Sequence, residues 1–165
     1  MAHGDLPPEV GQRRLIAVFV TPVTEFLLHF GRDLGFQTVM LDPDSSRLAW
    51  AEWRYADQVY SVPTEEFVDR NTDVVFTDHD REELGPTLES FLRLPARWIG
   101  VMGSPRHPAA HVPALRQLGV PEEVIGRIRR PIGLNIGSKT PAEIALSTLA
   151  GLIADRNRRP GGFAF

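Results

Sequence analysis

The sequence predicts an α/β fold: a parallel sheet of strand order about 3-2-1-4-5, sandwiched between helices on both faces. Three observations carry it. Leu15-Ile16-Ala17-Val18-Phe19-Val20 is an unbroken apolar run with the length of a strand buried on both faces. Strand-like and helix-like segments then alternate for the rest of the chain. The last helix opens with Thr140-Pro141-Ala142-Glu143, which places a hydroxyl at the N-cap, proline at N1 and glutamate at N3.

The elements follow in order. After the first strand, Thr21-Pro22 supplies an N-cap and a first helical residue, and Gly35 closes that helix. Gln37–Leu41 reads as the second strand, followed by a short helical piece over about Arg47–Arg54. Gln58–Val62 alternates as a third strand, and Thr64–Phe67 begins a helical turn. Asp73–Thr77 is the fourth strand, and Leu84, Leu88, Phe91 and Leu92 form a helical stripe. Trp98–Met102 is the fifth strand, with helices expected over Ala109–Leu118, Pro121–Ile128 and Thr140–Arg156. Together these make a Rossmann-like, three-layer domain over residues 13–157, with a flexible leader at 1–12 and a flexible tail at 158–165.

Bulk properties narrow the chemistry. The chain has 165 residues and no cysteine, which rules out zinc–thiolate, iron–sulfur and thiol-nucleophile sites within it. A net charge of −3 argues against a general nucleic-acid surface, and no apolar run reaches the ~18 residues of a membrane span. The polar start Met1-Ala2-His3-Gly4-Asp5 lacks a signal-peptide core, so a cytoplasmic location is expected.

In such a sheet, ligands bind beyond the carboxyl ends of the strands. The first loop there, Phe19-Val20-Thr21-Pro22-Val23-Thr24, stands where a pyrophosphate site has G-x-G-x-x-G. Phe19, Thr21 and Thr24 occupy the three glycine positions and Pro22 lacks an N–H, so ordinary NAD(P) binding is expected to be lost. Asp42, ending the second strand, fits a ribose hydroxyl or a cap on the Ser45-Ser46 turn. Asp78-His79-Asp80 offers base or metal chemistry, but reads better as a solvated turn whose three side chains cannot share an ion unaided.

Two further loops are candidate anion sites. Gly103, Ser104 and Arg106 follow the fifth strand, joining close backbone approach, a hydroxyl and a guanidinium fork. Gly137, Ser138 and Lys139 lead into the capped last helix, whose N-terminus favours an anion. This second loop is not a P-loop, because Ser138 separates Gly137 from Lys139.

These loops also carry a family resemblance. Trp98-Ile99-Gly100-Val101-Met102-Gly103-Ser104 with Arg106 resembles the Y-I-G-L-[MI]-G-S-R-R segment of the XdhC/CoxI family. Pro131-Ile132-Gly133-Leu134-Asn135-Ile136-Gly137-Ser138-Lys139-Thr140-Pro141 is similar to its P-I-G-L-D-I-G-A-R-T-P, and Ala114–Val120 also fits. The likeness spans about Leu15 to Arg156, the family's Rossmann-like carboxyl-terminal half; its amino-terminal, cysteine-bearing part is expected to be absent. The family's G-A-G-P-V turn aligns with Phe19–Val23, its T-H-D-H loop with Thr77–Asp80, and its D-P-R with Asp42-Pro43-Asp44.

The resemblance implies a non-enzymatic accessory protein that helps mature a molybdenum hydroxylase such as xanthine or CO dehydrogenase. It implies binding of the molybdenum cofactor (a molybdopterin) or of a partner that carries it. The partners expected are a hydroxylase subunit or another maturation protein, and a homodimer is one assembly considered. Two other readings stand beside it. One is an NAD(P)-linked oxidoreductase with a degenerate turn and Asp42 on the ribose. The other is a partner-binding scaffold for which Trp50, Trp53 and Tyr55 are candidate anchors, with core packing expected for at least one of them.

Overall fold

The computed structural model describes residues 11–49 and 53–163. Five strands, β1 (Arg14–Val18), β2 (Gln37–Leu41), β3 (Gln58–Tyr60), β4 (Thr72–Phe76) and β5 (Trp98–Val101), form one sheet in the order β3-β2-β1-β4-β5. All neighbouring pairs are parallel, with Ala17 of β1 in register with Met40 on one side and Val75 on the other. The expected topology is the observed one.

The apolar run of β1 splits by parity between two cores, as side chains of a strand point alternately to either face. Leu15 and Ala17 face α1 (Pro22–Asp33) and α6 (Pro141–Arg156), packing with Leu27, Leu28, Ala145, Leu149 and Leu152. Ile16 and Val18 face α3 (Leu84–Leu92), α4 (His111–Gln117) and α5 (Glu122–Ile125), packing with Leu88, Phe91, Leu115 and Ile125. No helix among the described residues is long and apolar enough to cross a membrane.

Several boundaries differ from expectation. The first strand stops at Val18, because Phe19 turns out of the sheet with φ of +77°. The helix after β2 is α2 (Ser45–Leu48), and the rest of the expected Arg47–Arg54 piece includes 50–52, outside the described residues. Thr64–Phe67 makes the expected turn, which goes no further: Phe67 drops into the core, stacks on Tyr60 at 4.1 Å, and the chain goes on to β4. The helices expected over Ala109–Leu118 and Pro121–Ile128 are the shorter α4 and α5.

The amino end of β4 is held by charge. Asp73 is fully buried, and its two oxygens accept from Nε of Arg97 and Nε of Arg156, both at 2.6 Å. Arg97 reaches on to Asp155 at 2.8 Å, which ties α6 to the sheet edge.

Candidate functional site

At the β1–α1 turn, the groups that would cradle a pyrophosphate already have partners. The Val20 N–H donates to Asp42 Oδ2 at 2.9 Å, and the Thr21 N–H donates to Thr24 Oγ1 at 3.2 Å. Thr24 Oγ1 in turn donates to the Phe19 carbonyl at 2.7 Å. Phe19 keeps the left-handed backbone that glycine adopts freely, and this costs a residue with a Cβ about 1–2 kcal/mol. Its ring is fully buried, edge-on to Phe76 at 5.7 Å. Arg81 closes the outer side: its guanidinium lies 5.4 Å from the Phe19 ring centroid and donates to the Val20 carbonyl at 2.7 Å.

Arg81 is itself held by Asp78 at 2.9 Å. Burial raises the Asp78 pKa, but the Asp80 backbone N–H, Arg81 and the nearby His79 together outweigh it and leave that carboxyl below its ordinary value. Contrary to expectation, the loop does bring one ligand atom from each of Asp78, His79 and Asp80 within 4.8 Å of one another. The backbone turn that lets Asp78 accept the Asp80 N–H draws them together, yet the same carboxylate already serves Arg81.

Asp42 sits apart from the other candidates. Fully buried, it accepts from Val20 N–H, Asp44 N–H at 3.0 Å and Arg47 Nη1 at 3.1 Å. A ribose hydroxyl there would compete with three donors for one carboxylate. The cap on α2 comes from Asp44, whose side chain accepts the Ser46 N–H at 2.9 Å.

The remaining candidates surround a cleft of about 770 Å³ at the carboxyl ends of β1, β4 and β5, within the usual size of a small-molecule site. Gly103, Ser104 and Arg106 form one wall, and the segment Pro131–Ser138, with Gly137 and Ser138, forms the other. Lys139 does not line it; its N–H donates to Glu143 at 2.7 Å. Thr140 and Glu143 complete the capping box, and the Lys139 and Thr140 N–H groups hold the Glu143 carboxyl below its ordinary value. That helix end therefore already carries a carboxylate of its own.

Among the described residues, no acidic side chain lines the cleft. Ser147 and Thr148 turn their hydroxyls to the carbonyls of Leu134 and Ile144, and Thr77 turns its hydroxyl to Val18 and Phe19. The side chains of Arg106 and Asn135 have no hydrogen-bonding or charged partner among the described residues, so both are available to a ligand. The second wall lies tightly on α6. Gly133, at φ +86°, has Ser147 Oγ 2.6 Å from where a Cβ would stand.

Sequence reading missed Arg130. Gly103 is small, but the space is filled from within the protein: a Cβ there would lie 2.6 Å from Arg130 Nε and 2.7 Å from Nη2. The only signal was a basic residue next to Pro131, which says nothing about a partner 27 positions away in the chain. Of the aromatic trio, Trp50 lies outside the described residues. Trp53 packs against the α1–α6 core and donates to the Leu48 carbonyl at 3.1 Å, while Tyr55 stacks on His29 at 4.0 Å. Both pack inward, the fate expected for at least one of the three, and so neither stands out as an interface anchor.

With this geometry in place, the comparisons with known proteins are decisive for family. Residues 15–152 match the XdhC Rossmann domain. This chain belongs to the XdhC family. It is 32% identical over 161 residues to the uncharacterized protein YqeB of Escherichia coli K12, covering 90% of this chain and 28% of that protein. It also superposes on a Bacillus halodurans protein described as a xanthine dehydrogenase, with a TM-score of 0.68 and 25% identity. That match covers 93% of this chain and 46% of the other, so this XdhC-type domain spans less than half of either relative.

Proposed function

We propose that this XdhC-family domain is a cytoplasmic accessory protein that holds the molybdenum cofactor during maturation of a molybdenum hydroxylase. The observation that carries the reading is the make-up of the cleft. It is a 770 Å³ space that, among the described residues, is lined by no carboxylate and carries on its wall an Arg106 side chain without a partner, suited to an anionic, phosphate-bearing ligand. The similar Bacillus halodurans protein, described as a xanthine dehydrogenase, supports the same client class.

The donor set fits a pterin with a phosphate tail. Arg106 would take the phosphate through its fork, Ser104 would add a hydroxyl contact, Ser138 would do so only by giving up its hydrogen bond to the Glu143 carbonyl at 3.3 Å, and the Asn135 amide would meet the heterocycle's donor–acceptor edge. When bound, the cofactor supplies the redox centre that the client enzyme needs. The protein's part is to bind, orient and shield it.

The test is retention of isolated molybdopterin by the purified chain, followed by fluorescence. Arg106→Ala is expected to weaken binding about tenfold or more, as loss of a charged hydrogen bond does, without lowering thermal stability. No retention by the parent chain, or unchanged molybdenum loading of the host's hydroxylases after deletion, would remove the proposal.

A further inference from the structure

The end of β5 away from the cleft carries a second, smaller cavity. It holds about 220 Å³, and Arg97, Trp98, Arg127, Arg129 and Asp155 stand on its walls. These residues gather at the amino end of the strand, whereas the cleft begins at Met102 and Gly103, beyond its carboxyl end. The backbone beneath two of the arginines is fixed. Arg129 pairs with the free edge of β5: its N–H donates to the Ile99 carbonyl and its carbonyl accepts the Val101 N–H, both at 2.9 Å. Arg127 sits in the turn that closes α5, where its N–H donates to the Val124 carbonyl at 3.1 Å.

Charge sets this cavity apart. Three guanidiniums line it against one carboxylate, in a chain whose net charge is −3. That carboxylate, Asp155, is already engaged by Arg97 Nη1 at 2.8 Å. Arg97 gives its Nε to the buried Asp73, and its Nη2 is buried with no acceptor among the described residues. Arg127 and Arg129 are exposed, and their side chains have no hydrogen-bonding or charged partner among the described residues. A concave surface of one sign concentrates counter-ions.

Size and charge together select the ligand. The space falls below the ~300 Å³ at which sites for drug-sized molecules begin, so a compact group fits it and a whole pterin or nucleotide does not. Three cations less one anion leave an excess of two positive charges, which a dianion neutralises and a single carboxylate only halves. Guanidinium forks match the paired oxygens of a phosphate.

We propose that Arg97, Arg127 and Arg129 form a second anion site, at the opposite end of β5 from the cleft, which takes a phosphate dianion. Arg127 and Arg129 make the contacts, and Arg97, anchored on Asp73 and Asp155, adds fixed positive charge behind them. The site does not depend on the cofactor reading of the cleft.

The test is amide NMR on the full chain, titrated with inorganic phosphate in about 0.15 M chloride. The amides of Trp98, Ile99, Arg127 and Arg129 are expected to shift saturably, with half-saturation at about 1 mM or below. Arg127→Gln and Arg129→Gln should each weaken this binding about tenfold, as loss of a charged hydrogen bond does. Both residues are exposed, so neither change is expected to lower the unfolding midpoint. Arg106→Ala, in the cleft, should leave these shifts as they are, so failure here and failure of the cofactor reading are told apart. Glycerol phosphate carries the same dianion on a carbon tail. If it binds more tightly than inorganic phosphate, the ligand is a phosphate ester; the reverse order marks the free ion, and either result supports the site. Shifts that never saturate mean an adventitious ion only and overturn the proposal. So does unchanged affinity in both glutamine variants, or succinate, a dianion of two separate carboxylates, binding as tightly as phosphate.

Discussion

Phe19 offers a sharp test of how the β1–α1 turn is built. The ring is fully buried, edge-on to Phe76, and covered by Arg81, while the backbone sits at φ +77°. Phe19→Ala removes the ring and keeps the Cβ in the left-handed region, and is expected to cost about 3–5 kcal/mol. Phe19→Gly loses the same ring but relieves about 1–2 kcal/mol of backbone strain. Against that relief stands about 0.4–1 kcal/mol for the looser unfolded chain. The glycine variant should therefore be more stable than the alanine variant by about 0.5–1 kcal/mol, with both below the parent. Urea unfolding followed by tryptophan fluorescence measures the difference. If alanine equals or exceeds glycine, the strain argument is wrong; if both match the parent, so is the packing argument.

Three other substitutions probe the supports of the cleft and sheet. Asp73→Ala strands Arg97 and Arg156 at a buried position and should cost about 3–5 kcal/mol; a loss below about 1 kcal/mol in urea would show that the pair contributes little. Gly133→Ala combines φ +86° with a Cβ 2.6 Å from Ser147 Oγ, whereas Gly137→Ala at φ +71° meets open space. The first should lower the unfolding midpoint more than the second, by about 1–3 kcal/mol of added overpacking, and equal effects would refute that.

The legible parts of this protein are those whose causes are local. The parity of Leu15–Val18, the proline at the start of α1 and the capping box at Thr140–Glu143 depend on residues within a turn or a strand, so pattern alone locates them. The end of the first strand slipped at Phe19, where a buried aromatic with a left-handed backbone overrode the local period. The two glycine- and hydroxyl-bearing loops that the sequence offered as anion sites do come together as the walls of one cleft, apart from Lys139, which does not line it.

The sequence by itself thus determined the strand order and the two-sided core. Tertiary structure alone decided who occupies each small space. Arg130 lies against Gly103, Arg81 against Phe19, and three donors converge on Asp42, all across separations of 20 residues or more except Asp44 and Arg47 on Asp42. A missing Cβ or a lone carboxylate in a sequence looks the same whether a ligand or the protein's own side chain fills the gap. Only the folded chain, by bringing distant charges and carbonyls within 3 Å or so, separates the two.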